Sequence, residues 1–325
     1  MNDQASNWLR SRTFSAPAFD LAELAAAKGS TRVSVVVPAR NEAATIGEII
    51  TSISDDHLTG SGLIDELIVI DSDSTDDTAQ VAEAAGAAVF RSVEISPELG
   101  WRPGKGEAMW KSLLVSNGEI IVYIDADLVH FTSLYVTGLL GPLLLHDDVL
   151  LVKGFYDRNL IGATSGDGVA QGGRVTELTA RPVTSLWWPD LAGVIQPLSG
   201  EWAGRRSLLE SLPFPSGYGV EVGVLIDSYE RFGLSSIAQV DLGNREHIHQ
   251  DLTGLGVVAA EVLAAATQRR FGEAPAEGAE ISQPLRAQDD DNVTWTPRSI
   301  NSAERPPAIS LPGYGAEIAE RKETP

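Results

Sequence analysis

Between Arg32 and Gly154, short β-branched apolar runs alternate with segments of helical periodicity, and this alternation restricts the fold more than any other feature of the chain. Val33-Ser34-Val35-Val36-Val37 and Leu67-Ile68-Val69-Ile70 are nearly unbroken, the pattern of strands buried on both faces. Between them Ile46, Ile49, Ile50 and Ile53 recur at helical spacing. After the second run, Thr75-Asp76-Asp77-Thr78 predicts a Thr N-cap and an acidic first turn for a helix reaching about Gly86. Ala87 to Phe90 reads as a third strand, Gly106 to about Val115 as a third helix, Ile120 to Ile124 as a fourth strand and Val149 to Val152 as a further one. This βαβα order predicts an α/β fold with a doubly wound, mainly parallel sheet, which binds ligands at the carboxyl ends of its strands near the switch in strand order.

Several residues with chemistry fall at those strand ends. Asp125-Ala126-Asp127 follows the run ending at Ile124 and brings two carboxylates to the mouth of a buried strand. Such a pair suits Mg2+, which takes one or two protein carboxylates and completes its shell with water and phosphates; a strand-end cap is an equally economical reading of the tripeptide alone. Pro38-Ala39-Arg40-Asn41-Glu42 stops the first strand in a turn, where Glu42 either accepts from ribose hydroxyls or simply favours a helix N-terminus. Asp71 to Asp77 supplies small acceptors that suit a base or ribose edge and also suit helix capping. Lys105 stands between Gly104 and Gly106 just before a helix, where its ammonium and nearby N–H groups can meet nucleotide oxygens, but the spacing is not that of a P-loop.

Composition removes several classes of function. A formal net charge of −21 leaves no basic surplus for a nucleic-acid backbone, so an anionic substrate needs a local basic pocket. With no Cys there are no disulfides, thiolate metal sites or cysteine nucleophiles. No run approaches the roughly 20 apolar residues of a membrane span, and the N-terminal residues through Arg10 and Arg12 lack a secretory apolar core, so a cytoplasmic protein is expected.

The organisation expected is an N-terminal extension (1–30), a first half of Rossmann-like character (31–155), a second half (156–271) and a tail (272–325). In the second half Val220, Val224, Leu225 and Tyr229 predict an amphipathic helix over Gly219 to Phe232, and the segment from Gly162 to Gly173 is a glycine-rich loop. Trp187-Trp188 belongs to the core or to an interface between subunits, with the core preferred. Past Gly272 periodicity fades, proline recurs and Asp289-Asp290-Asp291 forms a charge run, so the tail is expected to be extended or partly disordered, with Trp295 and Tyr314 as docking points.

Taken in order, Val36 to Glu42, Asp71-Ser72, Ser74 to Thr78, Gly104-Lys105-Gly106 and Asp125-x-Asp127 resemble the nucleotide-sugar half of a GT-A glycosyltransferase. Three further stretches, Gly172 to Leu178, Gln196 to Glu201, and Pro215-x-Gly217-Tyr218-Gly219-Val220-Glu221-x-Gly223, are similar to the actinobacterial glucosyl-3-phosphoglycerate synthases, over most of residues 31 to 250. That resemblance implies a GT-A fold with an acceptor-binding half, and retaining transfer of glucose from UDP-glucose to the 2-hydroxyl of 3-phosphoglycerate. It implies Mg2+ or Mn2+ as cofactor, those two small molecules as partners, no nucleic acid, no membrane, and a homodimer.

Carried onto this sequence, the resemblance puts the uridine on Pro38, Ala39 and Glu42, the uracil on Ser72 and Lys105, the nucleotide against Asp125, and the metal on Asp127 and His247. His249 is a rival ligand if its segment is extended. Gly173, Arg174, Val175 and Thr176 form the implied phosphoglycerate pocket, with Tyr218 and Arg245 near the acceptor and Arg158 as a further cation; read without the family, the first four are a helix start with a solvent-facing Arg. Asp127, Glu221 and Arg174 are the candidate catalytic side chains, Glu221 being the one family-matched acid that could act as a nucleophile. Alternatives are a mannosyl-3-phosphoglycerate synthase using GDP-mannose, a sugar-1-phosphate nucleotidylyltransferase and a non-catalytic nucleotide-sugar binder.

Overall fold

The computed structural model describes residues 2–160, 173–247, 252–273, 275–276, 278–286 and 293–315, and of residues 57–59, 157–160, 244–247, 252, 284–286 and 293–294 it describes the backbone alone. The strands are β1 (Thr13–Ser15), β2 (Val33–Ala39), β3 (Glu66–Asp71), β4 (Ala88–Arg91), β5 (Ile120–Tyr123), β6 (Leu151–Leu160), β7 (Trp202–Arg205), β8 (Phe214–Pro215), β9 (Ile237–His247), β10 (Glu280–Arg286), β11 (Val293–Ser299) and β12 (Glu304–Arg305). The helices are α1 (Asp3–Ser11), α2 (Leu21–Lys28), α3 (Ile46–Ile53), α4 (Thr78–Ala84), α5 (Lys105–Ser112), α6 (Leu134–Leu145), α7 (Arg181–Trp187), α8 (Arg206–Leu209), α9 (Val220–Phe232) and α10 (Leu252–Phe271).

One sheet of 8 strands, in the order β1-β9-β6-β7-β5-β2-β3-β4, runs through the molecule. Every neighbouring pair is parallel except those of β7, which is antiparallel to both β5 and β6. The expected doubly wound, mainly parallel α/β sheet is therefore present, and the two halves anticipated from the sequence share it. Alternation along β2 explains the layering: Val36 enters a core with Met109 and Trp110 of α5 and Val224 of α9, while Val35 and Val37 enter a second core with Ile49 of α3 and Leu139 of α6. Because β2 is covered on both faces, every one of its valines is fully buried.

Helix α4 starts later than the capping signal suggested. Asp77 occupies the N-cap position, and Thr75 lies before the helix, its backbone N–H donating to Asn41 Oδ1 at 2.8 Å. Asp76 supplies the capping contact instead, its Oδ1 accepting from the Thr78 N–H at 3.1 Å. A tertiary bond across to the loop after β2 has taken over the residue that local rules would use as a cap.

The N-terminal segment is an edge of the sheet: β1 pairs with β9, and Trp8 is buried with its indole N–H on the Ile237 carbonyl at 2.8 Å. In the expected tail, β10 and β11 form an antiparallel hairpin and β12 pairs with β8. Residues beyond that hairpin lie across the body as a strap. Arg305 donates to both Glu107 oxygens at 2.6 and 2.7 Å, Trp110 Nε1 donates to the Pro306 carbonyl at 2.8 Å, and Arg206 reaches the Tyr314 hydroxyl at 3.2 Å. Ala308 and Tyr314 are buried. Trp295, the other anticipated docking point, is 69% exposed. The segment from Gly162 to Gly172 and His249 lie outside the described residues.

Candidate active site

Strand order reverses between β2 and β5, from which the chain has gone outward to β3 and β4 before returning. Parallel strands parting at such a point leave a crevice at their carboxyl ends. A cleft of 680 Å³ occupies it, and Pro38, Ala39, Glu42, Ser72, Lys105, Asp125, Asp127, Tyr218 and Glu221 all contribute to its lining. Residues from five separate stretches of sequence thus meet where the fold class predicted a ligand.

The turn after β2 is fixed by the turn after β3. Asn41 adopts a left-handed conformation at φ 58°, its N–H donates to Ser74 Oγ at 2.9 Å, and the Glu42 N–H donates to Thr78 Oγ1 at 2.8 Å. On the other side Thr45 Oγ1 donates to the Ala126 carbonyl at 2.6 Å, tying the start of α3 to the Asp125-Asp127 turn. Small polar side chains near β3 therefore serve as struts between loops, which explains their density.

Charge is distributed unevenly. Lys105 Nζ lies 2.5 Å from Asp125 Oδ1 and 2.8 Å from Glu221 Oε1, bridging the strand-end turn and the first turn of α9. Burial lowers the Lys105 pKa, but the two carboxylates outweigh that and hold it well above the ordinary lysine value. Space for this arrangement comes from missing side chains: a Cβ on Gly200 would sit 2.1 Å from Asp125 Oδ2, and one on Gly106 would sit 1.8 Å from the Pro215 carbonyl oxygen. Nearer β2 the balance is different. Burial, then the charges of Asp127, Asp125 and Asp76, push Glu42 up to about 7.

Beneath the cleft Lys153 is almost fully buried, donates to the Ser199 carbonyl at 2.7 Å and lies 5.6 Å from the centre of the Trp202 ring. Burial, reinforced by the Lys105 charge, pulls its pKa down to about 7 against the opposing pull of Glu221, Glu201 and Asp125. The sequence offered no sign of this residue, because a single Lys within a strand carries no motif.

Among the described residues no three His, Asp or Glu side chains gather into a metal cage. Mg2+ or Mn2+ bound through one or two carboxylates and phosphate oxygens needs none. The donor chemistry at the mouth suits such an ion: Asp127 opens on the cleft beside Asp125, and the Glu42 pKa, raised first by burial and then by Asp127, Asp125 and Asp76, includes a repulsion that a cation would relieve. His247 and Arg245 lie at the end of β9, their backbones paired with Leu160 and Arg158 of β6; the side chains of all four are outside the described residues.

Gly173, Arg174, Val175 and Thr176 do not line the cleft. They open a helical run that continues into α7, with the Glu177 N–H on the Gly173 carbonyl at 2.9 Å, Arg174 exposed and both Val175 and Thr176 buried. Trp188 is buried in the core, its indole N–H on Glu230 Oε1 at 2.7 Å, whereas Trp187 packs at the edge against Phe271 with ring centres 5.3 Å apart. Sequence reasoning missed Trp101, Glu261 and Asn301 in the lining. No local pattern marks them, and Glu261 and Asn301 reach the cleft through contacts distant along the chain.

The model of glycosyl transferase family 2 matches residues 34–164, the part that carries the strand-end turns. The chain is 47% identical over 301 residues to a glucosyl-3-phosphoglycerate synthase of Mycobacterium tuberculosis, covering 91% of this chain and 90% of that protein. The chain belongs to the glucosyl-3-phosphoglycerate synthases. A second member of the family, from Mycolicibacterium smegmatis, is 46% identical over 308 residues, which are 94% of this chain and 98% of the other. The crystal structure of the M. tuberculosis synthase with Mn2+, UDP and phosphoglyceric acid superposes with a TM-score of 0.82 at 44% identity, over 92% of this chain and 98% of that one. The same synthase with Mn2+ and UDP-glucose gives a TM-score of 0.79, over 90% of this chain and 95% of that one. The family's GT-A fold is that of the sheet described above.

Proposed function

We propose that this chain transfers glucose from UDP-glucose to the 2-hydroxyl of 3-phosphoglycerate with retention of configuration, with Mg2+ or Mn2+ as cofactor. The observation that carries the reading is the convergence of Pro38, Glu42, Ser72, Lys105, Asp125, Asp127 and Glu221 on one cleft, in a chain 44% identical to a synthase crystallised with Mn2+, UDP and phosphoglyceric acid. The relatives reported above are named for glucose, so the mannosyl alternative is not adopted.

In this proposal Pro38, Ala39 and Glu42 hold the uridine, Ser72 and Lys105 meet the uracil, and Asp125 approaches the nucleotide. Asp127, with His247 from the end of β9, holds the metal, which when bound supplies neutralisation of the diphosphate charge. Arg174 and the N–H groups of Gly173, Val175 and Thr176 take the acceptor's phosphate or carboxylate at the start of the helical run, with Tyr218 and Arg245 beside it. The acceptor's 2-hydroxyl oxygen bonds to the anomeric carbon as the bond from that carbon to the diphosphate oxygen breaks, and the hydroxyl proton passes to the departing diphosphate.

A same-face attack of this kind is favoured over double displacement by the state of Glu221. Its carboxylate is buried and paired with Lys105 at 2.8 Å, and a nucleophile would have to give up that partner. A homodimer is part of the proposal, supported by the exposed apolar side chains Leu178, Leu186 and Phe271, which are 76%, 77% and 59% accessible and stand on segments that pack against one another. Sedimentation at the mass of one chain would remove that part. The cytoplasmic location expected from the sequence belongs to the same reading.

The test is turnover of UDP-glucose and GDP-mannose against 3-phosphoglycerate, with and without Mn2+. UDP release with a glucosylated product only when metal is present is the expected result. A preference for GDP-mannose, pyrophosphate release from a sugar phosphate, or nucleotide binding without product would each replace the proposal.

A further inference from the structure

Lys105, the first residue of α5, meets both of its carboxylates at hydrogen-bonding distance, and the loop that leads into it from Trp101 to Gly104 has no regular structure. On its C-terminal side Lys105 is pinned by the Gly106 and Glu107 N–H groups, which donate to the Gly217 and Ser216 carbonyls at 3.3 and 2.9 Å, and on its N-terminal side the loop is held by the strap. Pro103 has no N–H, so its carbonyl is the one backbone hydrogen-bonding group it can offer. That carbonyl accepts from Asn301 Nδ2 at 2.5 Å. The neighbouring Arg102 is held by the same strap, its Nη1 donating to the Glu304 carbonyl at 3.0 Å.

Asn301 is itself placed by a buried acid. Glu261 of α10 accepts from the Asn301 N–H through Oε1 at 2.8 Å and from the Tyr218 N–H through Oε2 at 2.7 Å. One carboxylate therefore spaces the strap from the turn that leads into Glu221, while the Asn301 side chain spaces the strap from the loop that leads into Lys105. Both Glu261 and Asn301 line the cleft. A nearly buried carboxylate that takes two backbone N–H donors is rigidly oriented, and so can act as a gauge between the segments it joins.

We infer that Asn301, set by Glu261, is a positioning residue for donor binding: it fixes the Pro103 carbonyl and through it the reach of Lys105 toward Asp125, Glu221 and the nucleotide. The C-terminal strap is on this account part of the site's framework. The inference rests on the nucleotide-sugar reading of the cleft.

Calorimetric titration of UDP in the presence of Mn2+, on the full chain and on Asn301→Ala, tests both separately. The substitution removes the bond to Pro103 and the local acceptor of the Ala303 N–H, and leaves the backbone contact with Glu261 in place. UDP binding is expected to weaken about fivefold to tenfold, the cost of one hydrogen bond no longer holding the loop. In turnover the KM for UDP-glucose should rise by a similar factor and that for 3-phosphoglycerate should stay within about twofold, a split that loss of structure alone would not produce. The thermal midpoint should move by no more than about 2 °C. Ile309→Ser, at an exposed position farther along the strap, should bind UDP as the native chain does. Unchanged UDP affinity in Asn301→Ala, or an equal loss in Ile309→Ser, overturns the inference and leaves the proposed function standing. Failure of the native chain to bind UDP overturns both.

Discussion

The two walls of the cleft are built on different principles. One wall is local: the turns after β2, β3 and β5 follow directly from strands that lie side by side, and the carboxylates of Glu42, Asp125 and Asp127 face the same space. The other wall is assembled from a distance, with Lys105, Tyr218, Glu221, Glu261 and Asn301 brought together by α5, α9, α10 and the strap. On the local wall burial, together with the negative charges of Asp127, Asp125 and Asp76, lifts Glu42 to about 7. On the assembled wall the acids are held by partners within the protein, Glu221 by Lys105, Glu107 by Arg305 and Glu261 by the Tyr218 and Asn301 N–H groups. Acids that crowd one another mark the place prepared for something the protein does not itself supply, and acids with fixed partners mark the frame that holds it there.

The contrast breaks most visibly at Asp127. If the local wall exists to hold a cation, Asp127→Ala should lower Mn2+-dependent kcat by about 1,000-fold or more, because the diphosphate leaving group loses several kcal/mol of stabilisation. Ordinary turnover in that variant would remove the metal from this wall. The assembled wall should respond in stability before chemistry. Arg305→Met leaves Glu107, which is fully buried, without its bidentate partner, and should cost about 3–5 kcal/mol in urea unfolding with little change in kcat for the molecules that remain folded. A kinetic loss with unaltered unfolding would assign the strap a different task.

The smallest effect concerns Glu42. Its folded pKa of about 7 lies above its ordinary value of 4.5, so the folded protein keeps a proton there that the unfolded chain has already released. Stability from this group therefore falls as pH rises from about 4.5 to about 7 and is level above that window. Thermal midpoints of the metal-free protein across that range should show this decline, Glu42→Gln should lack it, and saturating Mn2+ should erase the difference between the two. Parallel curves for both proteins without metal would show that the acids on this wall do not repel one another.

The local wall was legible in the sequence for the reason that makes it local. A continuous apolar run such as Ile120–Ile124 specifies a buried strand, and the residues after it must lie at its mouth. Lys105 was legible in part. Its glycine neighbours suggested amide groups offered to a ligand, whereas Gly106 is required by the approach of the Pro215 carbonyl. Thr75 was misplaced as a helix cap because its N–H is claimed by Asn41, more than thirty positions earlier. Glu261 and Asn301 left no trace at all. Each is an ordinary polar residue whose importance comes from a partner in another segment, and a periodicity argument has no access to that partner. Of the strap, Tyr314 on Arg206 was anticipated as a docking point, whereas Arg305 on Glu107 was hidden, a single side chain in a proline-interrupted stretch without alternation.

The pairing of β1 with β9 has a consequence for the order in which the molecule can be built. Gln239 reaches Thr13 across 226 positions of sequence, so the first strand to leave the ribosome waits for a partner that emerges last among the strands of the sheet. Until then Trp8 has no Ile237 carbonyl to receive its indole N–H, and an apolar surface near the N-terminus stays uncovered. Completion of that edge is therefore a late event in the birth of the chain, and nascent molecules halted before residue 237 would present an open sheet margin to chaperones or to one another.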